Sequence, residues 1–377
     1  MNIPEIFANW KLMIFISFCA VALIQVFYFI FFFCRLAFYS TTPRKSSQTH
    51  PVSVIICARD EAANLAQYLQ GVLIQDFPTS HEVLVVNDNS FDDSKYVLEE
   101  LKKTYKQLHP IELIQEAKLI PGKKFPLSVG IKTAKHEIVL LTDADCVPAS
   151  DKWIQSMQSS YLDNTEIVLG YGSFYKKKNL LNKIIRWEGY HAALQYFSYA
   201  LAGIPYMGVG RNLSYKKSVF FRHKGFSSHN NVPGGDDDLF INMAANNKNT
   251  RINIDPESFT ISKTPATWKQ WLWQKNRHYT TGKFYKPLHK FLLGLYSFSH
   301  FLFYPLLITS CIFFNWQIAL SIFGFRMLIQ SIVYYRTMHK LDEKDLWPMF
   351  LFFDLWMFFY YLIFAPALIR KPRPTWK

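Results

Sequence analysis

Three consecutive carboxylates interrupt a basic chain at "NNVPGGDDDLFINM", where Asp236, Asp237 and Asp238 stand between Gly234–Gly235 and the apolar Leu239–Phe240–Ile241. Adjacent carboxylates repel one another, and the chain as a whole carries a formal charge of +14. A divalent cation, or an acceptor that must lose a proton to one of them, gives the cluster a purpose. A run of helix-start residues is the plainer alternative. A second acidic pair, Asp143 and Asp145 in "LLTDADC", has a spacing that lets one carboxylate face a metal and the other a sugar or ribose hydroxyl. Mg2+ and Mn2+ take oxygen ligands, and Mg2+ is commonly held by one or two carboxylates together with substrate phosphates. Alone, D-x-D suits an ordinary turn equally well.

The elements that must position these groups are legible as alternating runs. "VSVIICA" (52–58) is apolar and β-branched, as a buried strand requires, and the following "DEAANLAQYLQGVLIQ" sets Leu65, Leu69, Val72 and Leu73 at helical spacing. "HEVLVVND" reads as a second strand, "DDSKYVLEELKKTY" as a second helix, and "IELIQ" as a third strand. "FPLSVGIKTA" then reads as a helix and "EIVLLTDADC" as another buried strand. Alternation of this kind predicts an α/β fold, a mostly parallel sheet with helices on both faces. Ligands of such sheets bind beyond the carboxyl ends of the strands. The residues there are Ala58-Arg59-Asp60-Glu61, Asn87-Asp88-Asn89-Ser90 and Asp143-Ala144-Asp145. Carboxylates gathered round one crevice are costly unless a cation or a donor-rich ligand joins them.

As an ordered set, these segments resemble the inverting, GT-A-type glycosyltransferases of family 2 over about 50–280. "VSVIICARDEAANL" is similar to the family's opening strand and nucleotide-binding turn, which implies donor contacts at Ala58 and Glu61; Asp60 stands where Asn is common. "VVNDNSFDDS" resembles the second strand-end motif, implying that Asp88 faces the uracil or ribose, with Asn87 in place of a frequent Asp. "PGKKFPLSVGI" matches the Gly-Lys turn at Gly122 and Lys123, and "TDADC" the metal motif. The resemblance implies Asp145 as ligand of Mg2+ or Mn2+ through the donor diphosphate, with Asp143 beside it facing the sugar or ribose. "GVGRNLSYKKSVFFRHKGF" resembles the segment before the catalytic carboxylate, and "GGDDDLF" the motif supplying the base: Asp237, with Asp236 the alternative. "WLWQKNRHY" resembles Q-x-x-R-W through Gln274 and Arg277, with His278 in place of Trp, and implies contacts to diphosphate or acceptor. The same segment also suits an interfacial helix with its tryptophans at headgroup level.

Half of the 377 residues are hydrophobic, including 34 Phe, and they are unevenly spread. Residues 10–39 carry only Lys11 and Arg35 as formal charges, and further apolar stretches cover about 291–314, 316–335 and 346–369. Each is long enough for a bilayer core, which takes about 20 apolar residues. Hence we expect an anchor at 1–44, a GT-A-like domain at 45–288, and a membrane region of two or three spans plus a basic tail at 289–377. Arg35, Arg44 and Lys45, with Lys283, Lys286 and Lys290, put basic residues on both edges of the polar block, which predicts a cytoplasmic domain on the inner cell membrane. The basic tail "IRKPRPTWK" conflicts with a full last span, so that stretch is expected to be re-entrant or interfacial, its Asp354 reaching water.

The five cysteines form no metal or disulfide framework. The positive charge accompanies no nucleic-acid-binding motif and fits anionic lipid. The expected activity moves a sugar from a nucleotide-diphosphate donor, a UDP-sugar by family default, to a lipid or lipid-linked glycan acceptor of the cell envelope by single addition. A processive polysaccharide synthase is the alternative, against which His278 counts, since an aromatic platform is expected there. A transporter with a cytosolic regulatory domain is the alternative of another class; it calls for more polar residues in the spans than Asp354 and a few others.

Overall fold

A computed structural model describes residues 9–40, 49–114, 122–162 and 164–368. Arg44, Lys45 and the tail from residue 369 lie outside the described residues. The chain divides into two compact units, one combining residues up to Tyr39 with Tyr285–Arg370, the other built on Ser40–Phe284.

The first unit starts with an apolar helix, α1 (Trp10–Ala37), whose middle turns, Tyr28–Phe33, are π-helical. The second unit begins at β1 (Val52–Ala58), buried at every position because helices cover both faces of the sheet. Val52, Val54 and Ile56 pack with Leu65, Leu69 and Val72 of α2 (Ala62–Leu73). Next come β2 (His81–Asp88), α3 (Ser94–Thr104), β3 (Leu108–Leu113), α4 (Lys124–Thr133) and β4 (Ile138–Asp143). On the other face of the sheet α4 approaches so closely that a Cβ on Gly130 would lie 2.7 Å from the Ile55 methyl. Ser53, a polar residue inside β1, donates to Glu82 at 2.6 Å, which also accepts from the Lys135 amide.

After β5 (Cys146–Pro148) follow α5 (Trp153–Ser159), β6 (Ile167–Leu169), β7 (Gly172–Phe174) and the long α6 (Leu180–Leu201). The unit closes with β8 (Leu213–Lys216), α7 (Lys217–Arg222), α8 (Asp238–Ala244), β9 (Thr250–Ile252), β10 (Thr260–Ser262) and α9 (Trp268–Tyr279). The main sheet has the order β3-β2-β1-β4-β8-β6-β9, and a small one the order β5-β10-β7. β3, β2, β1 and β4 run parallel, while β8 is antiparallel to both neighbours. β2 and β3 lie on one side of β1 and β4 on the other, so the chain reverses its direction of winding at β1/β4, where a crevice opens at the carboxyl ends. The register sets Cys57 opposite Asp143 and Ala58 opposite Asn87, so these strands end level.

In the first unit, α10 (Pro287–Ser310) and α11 (Trp316–Lys340) form a hairpin, and α12 (Phe350–Phe364) follows. Asn315 breaks the run with extended backbone (φ −146°, ψ 110°) and caps α11, accepting from the Gln317 and Ile318 amides. The segments Trp10–Ala37, Pro287–Lys340 and Lys344–Phe364 are long and apolar enough to cross a membrane. One expectation for the last stretch is corrected. Asp354 does not reach water; it is fully buried, with Arg326 donating to both its oxygens at 2.8 and 3.1 Å. Tyr304 and Gln330 donate to the same carboxylate, and Gln25 of α1 accepts from Arg326. Such pairing is how a low-dielectric interior accommodates charge.

Candidate active site

The β1–α2 and β2–α3 turns are laced together by their own polar groups. Asp60 and Asn89 take left-handed backbone (φ 53° and 55°), a conformation that Asp and Asn tolerate. The Asp60 amide donates to Ser90, the Phe91 amide returns a bond to Asp60 Oδ1, and the Ala62 and Glu61 amides donate to Asp92 and Ser94. Glu61 accepts from Asn64 at 2.6 Å, and Ala58 and Asp88 are wholly buried at the strand ends.

Convergence is reported by one buried sulfur. Burial pushes the Cys57 thiol up to about 12, and Lys123, Asp236, Asp143 and Asp88 all act on it electrostatically. Four of the sequence-predicted residues therefore surround the end of β1. Lys123, just before α4, donates to Asp143, whose side chain stays 35% exposed. Burial would raise the Asp143 carboxyl, but Lys123, then Arg211 and Arg277, outweigh it and hold the group below its usual value. Asp145 is shifted the opposite way, by burial and then by the charge of Asp143, with Arg211 opposing.

Asp143, Asp145 and Cys146 present ligand atoms within 4.8 Å of one another. The two carboxylates are the oxygen donors a hard cation prefers. Cys146 is no third ligand of that kind: burial raises its thiol well above the usual range, and it donates weakly to Asp145 at 3.5 Å. The pair fits Mg2+ or Mn2+, since added positive charge relieves the unfavourable charge of Asp145.

The acidic run divides into distinct environments. Asp238, the first residue of α8, is buried and satisfied by the Leu239 amide at 2.7 Å and the Thr281 hydroxyl at 2.5 Å. Asp237 caps α8, so the helix-start reading holds for it in part: its Oδ1 accepts from the Asp238 amide and its Oδ2 from the Gly210 amide at 2.8 Å. No cation opposes its charge among the described groups acting on it. Burial, then Asp236 and Asp238, push its carboxyl up to about 7. Asp237 is half-buried and able to hold a proton near neutrality.

α9 supplies the far wall, begun by a capping box between Thr267 and Gln270. Arg277 acts on Asp143, and its guanidinium lies 5.5 Å from the Trp273 ring centre. Gln274, half-buried, shares the Arg277 face one turn earlier. His278 stands at the exposed mouth, and the protein around the ring, then Lys275, Arg277 and Arg211, push its imidazole well below the usual range. Among the described interactions, none joins Gln274 to the other groups.

Sequence reasoning missed Arg211. It lies over Phe174 at 4.1 Å, donates to Ser262 at 2.8 Å, and acts on Asp143, Asp145 and His278 at once. Its place within "GVGRNLSYKKSVFFRHKGF", the segment read as preceding the catalytic carboxylate, was the signal the sequence offered.

Residues 53–223 match the family model described as Glycosyl transferase family 2. Over these residues the chain is similar to that family. It resembles the "Probable glycosyltransferase YdaM" of Bacillus subtilis (strain 168), 24% identical over 281 residues, 67% of this chain and 63% of that protein. The beta-monoglucosyldiacylglycerol synthase of Trichormus variabilis is 31% identical over 101 residues, 26% of this chain and 21% of the synthase. The chain thus spans less than two thirds of the length of these curated relatives. A mannosyltransferase from Pyrobaculum calidifontis, solved with GDP-Man and Mn2+, superposes with a TM-score of 0.59 at 16% identity. That match covers 92% of this chain and 99% of the mannosyltransferase, and it shows a shared GT-A fold.

Proposed function

We propose that the chain is a membrane-bound glycosyltransferase that moves a hexosyl or N-acetylhexosaminyl group from a nucleotide-diphosphate donor to a membrane-proximal acceptor with inversion. The observation that carries this reading is a carboxylate with no described counter-charge, Asp237, held by the amide of Gly210 next to Arg211, which itself acts on the Asp143–Asp145 pair. Asp237 takes the proton as the acceptor oxygen attacks the anomeric carbon, while the bond to the diphosphate breaks on the opposite face. A positioned base of this kind is worth about 10²–10⁴ in rate. Asp236 is the alternative base. Lys123, Arg211 and Arg277 face the departing diphosphate, and guanidinium suits its oxygens. A divalent cation held by Asp145 and Asp143 would add positive charge at the same oxygens.

Ala58, Glu61 and Asp88 are assigned to the nucleoside, and Gln274, Arg277 and His278 to the acceptor side. A UDP-sugar donor and a lipid or lipid-linked glycan acceptor are the substrate classes we favour. The beta-monoglucosyldiacylglycerol synthase relative, whose name specifies a lipid product, supports that acceptor class. His278 in place of an aromatic platform favours single addition. We place the domain, 45–288, on the cytoplasmic side of the inner membrane, between an anchor at 1–44 and a membrane region at 289–377. The test is full-length protein in lipid nanodiscs with Mn2+ and a panel of UDP- and GDP-sugars. Nucleoside diphosphate release that depends on added lipid acceptor is expected; no release with any donor defeats the proposal.

A further inference from the structure

Two lysines sit side by side at the start of α4 and point to different partners. Lys123 donates to Asp143. Lys124, only 1% exposed, sends its ammonium to the carbonyls of His229 and Val232, each at 2.5 Å. A buried ammonium loses hydration worth several kcal/mol in real proteins, about the same order as its best compensations. Packing alone would favour an apolar chain of the same length, so the charge has a use.

The partners identify that use. His229 and Val232 belong to the loop that delivers the acidic run, and the same loop is braced where His229 Nε2 meets the Gly235 carbonyl at 2.9 Å. Gly122 touches the loop from below, with left-handed backbone (φ 81°) and room for no side chain: a Cβ there would lie 2.1 Å from the Pro233 carbonyl oxygen. Lys124 also feels the charges of Asp236 and Asp238 on either side of the proposed base. The Gly122–Lys124 turn thus holds the donor-side carboxylate with one lysine and the base-carrying loop with the next.

We infer that Lys124 is a positioning residue for the base: its ammonium fixes loop 229–238, so that Asp237 is presented in a geometry set by the same turn that binds the donor diphosphate through Lys123. The inference rests on Asp237 as base. It predicts opposite kinetic signatures for adjacent residues. Loss of Lys123 weakens the donor complex. Loss of Lys124 leaves the donor complex intact and slows the chemical step.

The experiment uses the full chain in nanodiscs, with Mn2+–UDP as the binding probe and single-turnover transfer from whichever nucleotide sugar is active. A hydrogen bond to a charged group is worth about tenfold or more, so Lys124→Met is expected to lower turnover at least about tenfold with UDP affinity unchanged. Lys123→Met is expected to lower UDP affinity by a similar factor. Lys124→Met that loses affinity as much as turnover, or loses neither, overturns the inference. Should that variant not fold, Lys124→Gln carries the test, keeping N–H donors without the charge; unaltered turnover in it is equally fatal. Asp237→Asn separates the two claims. Full turnover in Asp237→Asn removes the base itself, whereas an inactive Asp237→Asn beside a fully active Lys124→Met removes only the role of Lys124.

Discussion

Asp237 and Asp354 are both carboxylates with little access to water, and their surroundings differ in kind. Asp354, in the apolar unit, has both oxygens bound by Arg326 and further donors in Tyr304 and Gln330. The carboxylate is fully paired, and the guanidinium opposite has Gln25 and the His300 ring as additional neighbours, although Arg326 Nε and Gln330 Oε1 are buried without a hydrogen-bond partner. Asp237 has two backbone amides, no described cation and a carboxylate on either side. A carboxylate with both oxygens paired to a counter-charge stabilises structure and has nothing left to offer a substrate. An open one keeps a charge whose cost is relieved only when a proton or ligand arrives. The difference separates a carboxylate that assembles helices from one suited to proton transfer.

The comparison fails first if Asp237→Asn is active. We expect its turnover to fall by about 10²–10⁴, while UDP binding persists and the unfolding temperature does not drop. Asp354→Ala should do the reverse. It leaves Arg326 buried without its counter-charge, a change that costs about 3–5 kcal/mol where it has been measured in proteins. Thermal unfolding in detergent should show that loss, and pairing the change with Arg326→Met should recover most of it. Asp354→Ala with wild-type stability would mean that the pairing of Asp354 does not hold the helices. A third variant, Asp145→Ala, should abolish the Mn2+ dependence of donor binding; an unchanged Mn2+ titration removes Asp145 from the metal shell.

How much of this was legible follows from what each residue had to satisfy. β1 and β2 have the boundaries read from "VSVIICA" and "HEVLVVND", because strands covered on both faces leave continuous β-branched runs. β3 begins at Leu108, before the expected "IELIQ", since this edge strand includes His109 and Pro110 and is largely half-exposed. The strands β6 to β10 passed unread. Runs of three or four residues are too short for periodicity to separate from loop. Acidic strand ends announced the crevice because clustered like charge is improbable without a ligand. Arg211 and Lys124 gave no such signal, as one more basic residue in a sequence of +14 resembles any solvated one. Asp354 was misread for the complementary reason: its partner lies 28 residues away on another helix, and only folding brings the charges together.

Linkage gives a subtler contrast. The folded Asp237 carboxyl titrates near 7, above its unfolded value of 3.8, so the native state holds this proton more tightly. Its stabilising effect is complete below the unfolded value and is lost as pH rises through 7, so stability should decline between about pH 4 and 7. Asp237→Asn should flatten that decline, and the acid limb of wild-type turnover should fall near 7. A decline of equal slope in the variant would assign the proton to another group.

The smallest effect we expect belongs to a pair with better geometry than many buried ones. Arg222 donates to both oxygens of Glu166 at 3.0 and 2.6 Å, but the arginine side chain is 52% exposed. Water already solvates these charges when they are apart, so little is gained when they meet. Exposed pairs of this type are worth about 0.2–1 kcal/mol, and less in high salt. Glu166→Gln should therefore shift unfolding only slightly, even though Asn249 also donates to that carboxylate at 3.1 Å. A loss rivalling that of Asp354→Ala would show that bidentate geometry, and not enclosure, sets the worth of a charge pair in this chain. The distinction drawn between Asp354 and Asp237 would then have to rest on their partners alone.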